Sequence, residues 1–189
     1  MAHPNRYFLP GRRGVLAGAA SLVAAAGTAQ AEVSASLAKG PMARFKITSP
    51  PKPMPDLEFL NADDKTIRLA DLTGKVRLIN LWATWCAPCV KEMPSLDRLQ
   101  AAIPKRKFLV LPISLDGPSK AKVAPFYKER KLSDLGIYYD KGRKAMSVLG
   151  VSLLPTSILV DPAGRELGRL EGDADWDTPE GIALMEAAL

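Results

Sequence analysis

The 189 residues, 47% hydrophobic and 24% charged, suffice for one globular domain with a sizeable core and hardly for two. The formal charge of +6 overstates the basicity of the folded part: 26 basic residues, less Arg6, Arg12 and Arg13 in an acid-free N-terminal stretch, leave 23 against 20 acidic, too even a balance for a nucleic-acid binder. The single histidine is His3, in the same stretch, so the rest of the chain has no imidazole for a metal, a cysteine-histidine nucleophile pair or a catalytic triad.

In chain order, Arg12 and Arg13 precede an uncharged run from Gly14 to Ala31 that closes on Ala29-Gln30-Ala31 before Glu32. A positive flank, an apolar stretch and a small-residue cleavage site predict an export signal over residues 1–31. An uncleaved membrane anchor is the alternative, although Gly, Ala, Ser, Thr and Gln make the run weakly hydrophobic for a spanning helix of about 20 apolar residues. The paired arginines followed by Val15 and Leu16 resemble a twin-arginine signal and leave the export route, Tat or Sec, open. Residues 32–55 end in Ser49-Pro50-Pro51-Lys52-Pro53-Met54-Pro55, which reads as an extended, proline-rich linker to a domain over residues 56–189.

Within that domain Leu57, Phe59, Ile67 and Leu69 alternate with polar residues around Asn61-Ala62-Asp63-Asp64-Lys65, predicting an N-terminal hairpin at a sheet edge. Val76 to Trp82 is a mostly apolar run of strand length, suited to a central strand buried on both faces. After it Val90, Met93, Leu96, Leu99 and Ile103 recur at helical spacing, with Lys91, Asp97, Arg98 and Gln100 facing elsewhere and a kink at Pro94. A strand from Phe108 to Leu115, a helix from Ser119 to Lys131, a short strand at Ile137-Tyr138-Tyr139 and a turn or two of helix from Ala145 to Leu149 follow. Thr156 to Val160 and Glu166 to Leu170 form a closing hairpin about Asp161-Pro162-Ala163-Gly164, and Thr178 caps a last helix from Pro179 to Ala188. Parallel crossovers followed by an antiparallel hairpin predict an α/β fold with a mixed sheet and helices on both faces.

The only cysteines, Cys86 and Cys89, sit in Trp85-Cys86-Ala87-Pro88-Cys89 where the strand hands over to the helix. Unpaired N–H groups and the macrodipole at a helix N-terminus favour a thiolate, so Cys86 is the expected nucleophile, with its pKa below that of a free cysteine. Cys89, one turn further in and less exposed, suits the resolving role: it attacks the mixed disulfide that Cys86 forms and releases the reduced partner. Pro88 stiffens the first turn at no loss of a hydrogen bond. Half a zinc site would look the same, but no second pair and no histidine outside the N-terminal stretch completes four ligands, and a purely structural bridge closing so short a loop would constrain the unfolded chain little. No cofactor beyond the redox-active pair is expected. Trp85 is expected to shape the surface that meets the partner, while Trp82 reads as core.

With Trp82-Ala83-Thr84-Trp85-Cys86-Ala87-Pro88-Cys89-Val90-Lys91-Glu92-Met93-Pro94, the chain resembles the thioredoxin superfamily, and specifically its TlpA-like branch of exported, membrane-associated reductases. The resemblance implies a thioredoxin-like fold over roughly Leu57 to Leu189, and it extends to the Asp161-Pro162-Ala163-Gly164 turn and to Trp176. Pro94 falls where such proteins kink the active-site helix. Leu154-Pro155-Thr156 matches the family's cis-proline loop, so Pro155 is expected cis and the loop is expected to meet a bound partner chain. One departure stands at Asn80, where thioredoxin itself carries a buried acid for proton transfer. Glu92, one turn after Cys89, is a candidate replacement, but a solvated helix face is the favoured reading of that residue. Ala87-Pro88 resembles the Gly-Pro of reducing thioredoxins, which implies a periplasmic, monomeric reductant of disulfide-bearing proteins, fed by a membrane-embedded thiol transporter. The branch implies copper-site cysteines as substrate, in a Sco-type chaperone or the copper subunit of cytochrome c oxidase, with apocytochrome c thiols as the rival. Of other classes, a Sco-like copper module would want histidine and wider cysteine spacing, and a thiol peroxidase would want one low-pKa cysteine with a threonine and an arginine close by in the fold; Thr84 is nearby, but the close second cysteine fits dithiol exchange better.

Overall fold

The structure, a computed structural model, describes Met1, residues 33–117 and residues 120–189. Apart from Met1 the expected export signal or anchor over residues 1–31 lies outside them, as does Ser119 at the expected start of the second helix. Among the described residues eight strands form one sheet, β1 (Lys46–Pro53), β2 (Glu58–Asn61), β3 (Thr66–Arg68), β4 (Val76–Trp82), β5 (Phe108–Ser114), β6 (Tyr138–Asp140), β7 (Thr156–Val160) and β8 (Arg165–Glu171), in the order β1-β8-β7-β4-β5-β6-β2-β3. The helices are α1 (Ala87–Ala102), α2 (Lys120–Arg130), α3 (Ala145–Val148) and α4 (Pro179–Glu186).

Strands β4, β5 and β6 run parallel through the crossovers α1 and α2, and β7, β8 and β1 are added antiparallel on the other side of β4. β4 lies between β5 and β7, and all seven of its residues are buried, which is why its sequence lacks polar alternation. Its side chains divide by the strand period: Leu78 and Trp82 join the core with Met93, Leu96 and Leu99 of α1, and Ile79 and Leu81 join the opposite core with Ala145 and Leu149. The sheet is thus covered by α1, α2 and α4 on one face and by α3 on the other. The β2–β3 hairpin occupies one edge of the sheet.

Two sequence expectations are corrected here. The stretch expected as a tether is folded: Val33, Met42 and Phe45 are buried in the core that holds Trp176 and Leu184, and the proline-rich run is the edge strand β1 on β8. An edge strand needs inward N–H groups on one side only, so prolines are tolerated where a central strand would exclude them. The pairing is broken by a register shift between Ile47 and Lys52, which is where Pro50 and Pro51 fall. The second correction concerns Asp97 and Gln100, expected on the solvent side of α1 and in fact buried. Asp97 accepts from the backbone N–H groups of Ser133, Asp134 and Leu135, and the Gln100 amide closes on the backbone of Val110, Ile103 and Phe108. Each polar side chain pairs with backbone groups of the segments packed against α1, so its burial carries no unpaired cost. Among the described residues no helix is long and apolar enough to cross a membrane.

Candidate active site

β4 ends at the C-terminal edge of the central parallel strands, and the turn Ala83 to Cys86 is closed by the Cys86 N–H donating to Ala83 O at 3.1 Å. Cys86 is the N-cap of α1, with φ −94° and ψ 101°, and its Sγ accepts from the Cys89 N–H at 3.3 Å. A thiolate at this position would meet the free N–H end of a sixteen-residue helix, the electrostatic setting that lowers a cysteine's pKa. Ala87 and Pro88 are exposed in the first turn, and Cys86 and Cys89 are joined in a disulfide with a Cα–Cα distance of 5.2 Å. Cys86 keeps 6% of its surface exposed and Cys89 none, so only the first sulfur can meet a partner.

The surface around that sulfur is apolar. Trp85 is 68% and Leu153 51% exposed, large side chains for which burial against a partner is the favourable outcome. Trp85 also stands over a cleft lined by Leu115, Asp116, Arg143 and Met146. Thr156 pairs with Leu81 in the β4–β7 ladder, so the Leu154-Pro155-Thr156 loop lies at the same end of the sheet as the cysteines, and Leu154 packs against the cluster that contains them. The Leu154–Pro155 peptide bond is cis, as is Ser49–Pro50. Thr156 Oγ1 donates to Leu153 O at 2.7 Å, and Pro155 O accepts from Gly172 N at 2.8 Å.

Glu92 is not on a solvated face. It is 2% exposed, three residues after Cys89 and four before Leu96, on the stripe that α1 turns to the sheet. Its Oε1 accepts from Asn80 Nδ2 at 2.8 Å, and its Oε2 accepts from Ala174 N and from Trp176 Nε1, each at 3.1 Å. Asn80 Nδ2 donates also to Ser157 Oγ at 2.9 Å, while Asn80 Oδ1 is buried without a partner. Burial pushes the Glu92 carboxyl up to about 7, against the opposing pull of the hydrogen bonds from Trp176, Asn80 and Ala174. A carboxyl poised there can hold or release a proton near neutral pH, which Asn80 cannot. Among the described residues no group of three or more His, Cys, Asp or Glu is placed to hold a metal ion.

The structure therefore gathers Trp85, Cys86, Ala87, Pro88, Cys89, Leu154, Pro155 and Thr156 at one end of the sheet, with Glu92 beneath the cysteines in the helix. Sequence reasoning had singled out neither Ser157 and Ala174, which bring their contacts to this network from far along the chain, nor Asp116, whose carboxylate accepts from Thr84. The helical spacing of Glu92 from Cys89 and Leu96 was a legible signal of its burial. No local pattern marks the other three.

The AhpC/TSA family profile matches residues 50–165. Thiol-disulfide oxidoreductase ResA of Bacillus thuringiensis (strain Al Hakam) is 32% identical over 130 residues, 69% of this chain and 74% of that protein. The exposed lipoprotein thioredoxin of Streptococcus pneumoniae strain TIGR4 superposes with a TM-score of 0.56 at 26% identity, over 70% of this chain and 97% of the other. A thiol:disulfide interchange protein of the thioredoxin family from Chlorobium tepidum TLS shares the fold, with a TM-score of 0.60 at 22% identity over 75% of this chain and 98% of the other.

Proposed function

The chain belongs to the AhpC/TSA family and is a thiol-disulfide oxidoreductase of thioredoxin-like fold, and we propose that it works as an exported reductant of partner-protein disulfides. The observation that carries this reading is Cys86 capping α1 beside the exposed Trp85, with Cys89 fully buried one turn behind it. In the reduced protein the Cys86 thiolate attacks one sulfur of the partner's disulfide, forms a mixed disulfide and releases the first partner thiolate. Cys89 then attacks Cys86 Sγ, the Cys86–Cys89 bond forms and the second partner sulfur leaves as a thiolate. The partner gains two electrons and, once its sulfurs are protonated, two protons; the cysteine pair loses the same. Glu92 is the group we assign to the Cys89 proton, since its carboxyl lies one turn on with a pKa of about 7 and Asn80 cannot titrate.

The disulfide form is the spent state of such a reductant, and a membrane thiol transporter is the proposed source of new electrons. Residues 1–31, read as an export signal or anchor, support a periplasmic location. The pneumococcal relative is itself described as an exposed lipoprotein. Within this role, copper-site cysteines of a Sco-type chaperone or of the oxidase copper subunit are the substrate we favour on the TlpA-like motif, with apocytochrome c thiols as the rival.

The test is the reduction potential of the pair, equilibrated in glutathione and dithiothreitol buffers and read by thiol trapping. A value near or below the roughly −270 mV of thioredoxin supports a reductant, and one near roughly −120 mV reverses the direction of electron flow. Catalytic turnover of hydrogen peroxide would instead assign a thiol peroxidase.

A further inference from the structure

The turn that presents Cys86 is held from outside the helix it caps. Asp116 stands two residues beyond the end of β5, half-buried, and its two carboxylate oxygens take three hydrogen bonds: Thr84 N at 2.8 Å, Thr84 Oγ1 at 2.6 Å and Ser114 Oγ at 2.8 Å. The Asp116 N–H donates back to Ser114 Oγ at 3.1 Å, which fixes the carboxylate's own backbone. Next to this, Leu115 N donates to Trp82 O at 2.9 Å. Thr84 lies inside the turn closed by the Cys86 N–H donating to Ala83 O. We propose that Asp116 is a positioning residue for the nucleophile: by clamping Thr84 it sets the turn against β5 and so keeps Cys86 Sγ where the Cys89 N–H can reach it. This inference rests on the reading of Cys86 as the attacking thiol.

A carboxylate clamped onto one backbone N–H and one hydroxyl of the same residue fixes both the position and the rotation of that residue, which a single contact does not. Without it the turn would keep its own Cys86–Ala83 bond but would be tied to the end of β5 only through Leu115 and Trp82, and the N–H groups of the helix end would be aimed less firmly at the sulfur. The clamp also predicts which substitution is tolerated. In Asp116→Asn the amide oxygen still accepts from Thr84 N and Ser114 Oγ, and the amide N–H₂ donates to Thr84 Oγ1, a hydroxyl able to reverse its role. The charge is lost and all three contacts remain.

The experiment measures alkylation of Cys86 in the reduced full chain as a function of pH, for the wild type, Asp116→Ala, Asp116→Asn, Thr84→Val and the double variant Asp116→Ala with Thr84→Val. Insulin reduction and denaturation midpoints are measured alongside. Asp116→Ala is expected to slow alkylation at neutral pH about tenfold and move the profile's midpoint up by about one pH unit, the size of one charge-assisted hydrogen-bond contact. Asp116→Asn is expected to stay within about twofold of wild type, and the double variant to be no slower than Asp116→Ala, because both remove one clamp. The proposal is overturned if Asp116→Asn falls as far as Asp116→Ala, since charge and not hydrogen bonding would then be responsible, or if both match wild type. It is overturned too if the Thr84→Val and Asp116→Ala effects simply add. Should Asp116→Ala fail to fold, Asp116→Asn and Thr84→Val decide: Asn near wild type with Val slowed supports the clamp, and any other pattern refutes it. A wild-type chain that alkylates normally yet reduces neither insulin nor any other protein disulfide would refute the proposed function while leaving the clamp tested by the alkylation profiles.

Discussion

Glu92 is kept from ionising freely by its surroundings, and this makes a prediction with a definite sign. In the unfolded chain its carboxyl titrates at the ordinary 4.5, and in the fold burial raises it to about 7. Between these values the folded protein holds a proton that the unfolded chain has released, so stability is complete below about pH 4.5, falls as pH rises and levels off above about 7. The total loss is about 3 kcal/mol. Glu92→Gln, which keeps an acceptor for Trp176 Nε1, removes that slope. Urea denaturation of the oxidised proteins at pH 5 and pH 8 should show the variant gaining on wild type by up to ~3 kcal/mol at the higher pH. An equal difference at both values would mean that Glu92 titrates as an exposed carboxyl does. The residue was visible in the sequence as a candidate because it follows Cys89 by one turn. Its partners were not, since Ala174 and Trp176 reach it from more than eighty residues away. The cysteines themselves were legible because their chemistry depends on a spacing of three at a helix start, which is local.

Among the elements, β1 is the one where local reasoning failed. Pro50, Pro51 and Pro53 lower every local preference for a strand, and only the presence of β8 beside them converts the segment into an edge. The close approach is made possible by Gly168 of β8: a Cβ there would lie 2.4 Å from Phe45 Cε1 and 2.6 Å from Lys46 O. Gly168→Ala must therefore push β1 and the buried Phe45 outward, at a cost of about 1–3 kcal/mol, measurable as a lowered denaturation midpoint with the active-site potential little changed. Unchanged stability would show that β1 adjusts without loss and that its pairing contributes little. By contrast β4, α1, β7 and α4 were all readable, because an unbroken apolar run, a helical stripe and the Thr178 cap are patterns that a residue carries with its immediate neighbours. The polar residues of α1 were misplaced for the same reason that β1 was. Asp97 and Gln100 turn inward to pair with backbone groups brought to them by the fold.

For the molecule as a whole, redox state and stability are two views of one equilibrium. A pair more reducing than a flexible dithiol must be more stable in its disulfide form than in its dithiol form by the same free energy, about 1.4 kcal/mol for each 30 mV. The bridge closes a loop of only a few residues, so little of the difference can come from restricting the unfolded chain. Denaturation of the oxidised and the reduced protein side by side should find the oxidised form unfolding at the higher denaturant concentration. The reverse order would make the chain an oxidant and would overturn the direction proposed above.

The sequence by itself determined the α/β alternation, the buried central strand, the cysteine pair at the start of α1 and the family resemblance around it. All of these rest on interactions between residues near in the chain, or on the burial that a single element's pattern announces. Tertiary structure alone decided that the proline-rich stretch is a strand, that Glu92 is a buried carboxyl with a pKa near neutrality, and that Asp116 and Thr84 meet. Each of those outcomes depends on groups tens of residues apart being brought within hydrogen-bonding or packing distance, and on water being excluded between them, which no local pattern encodes.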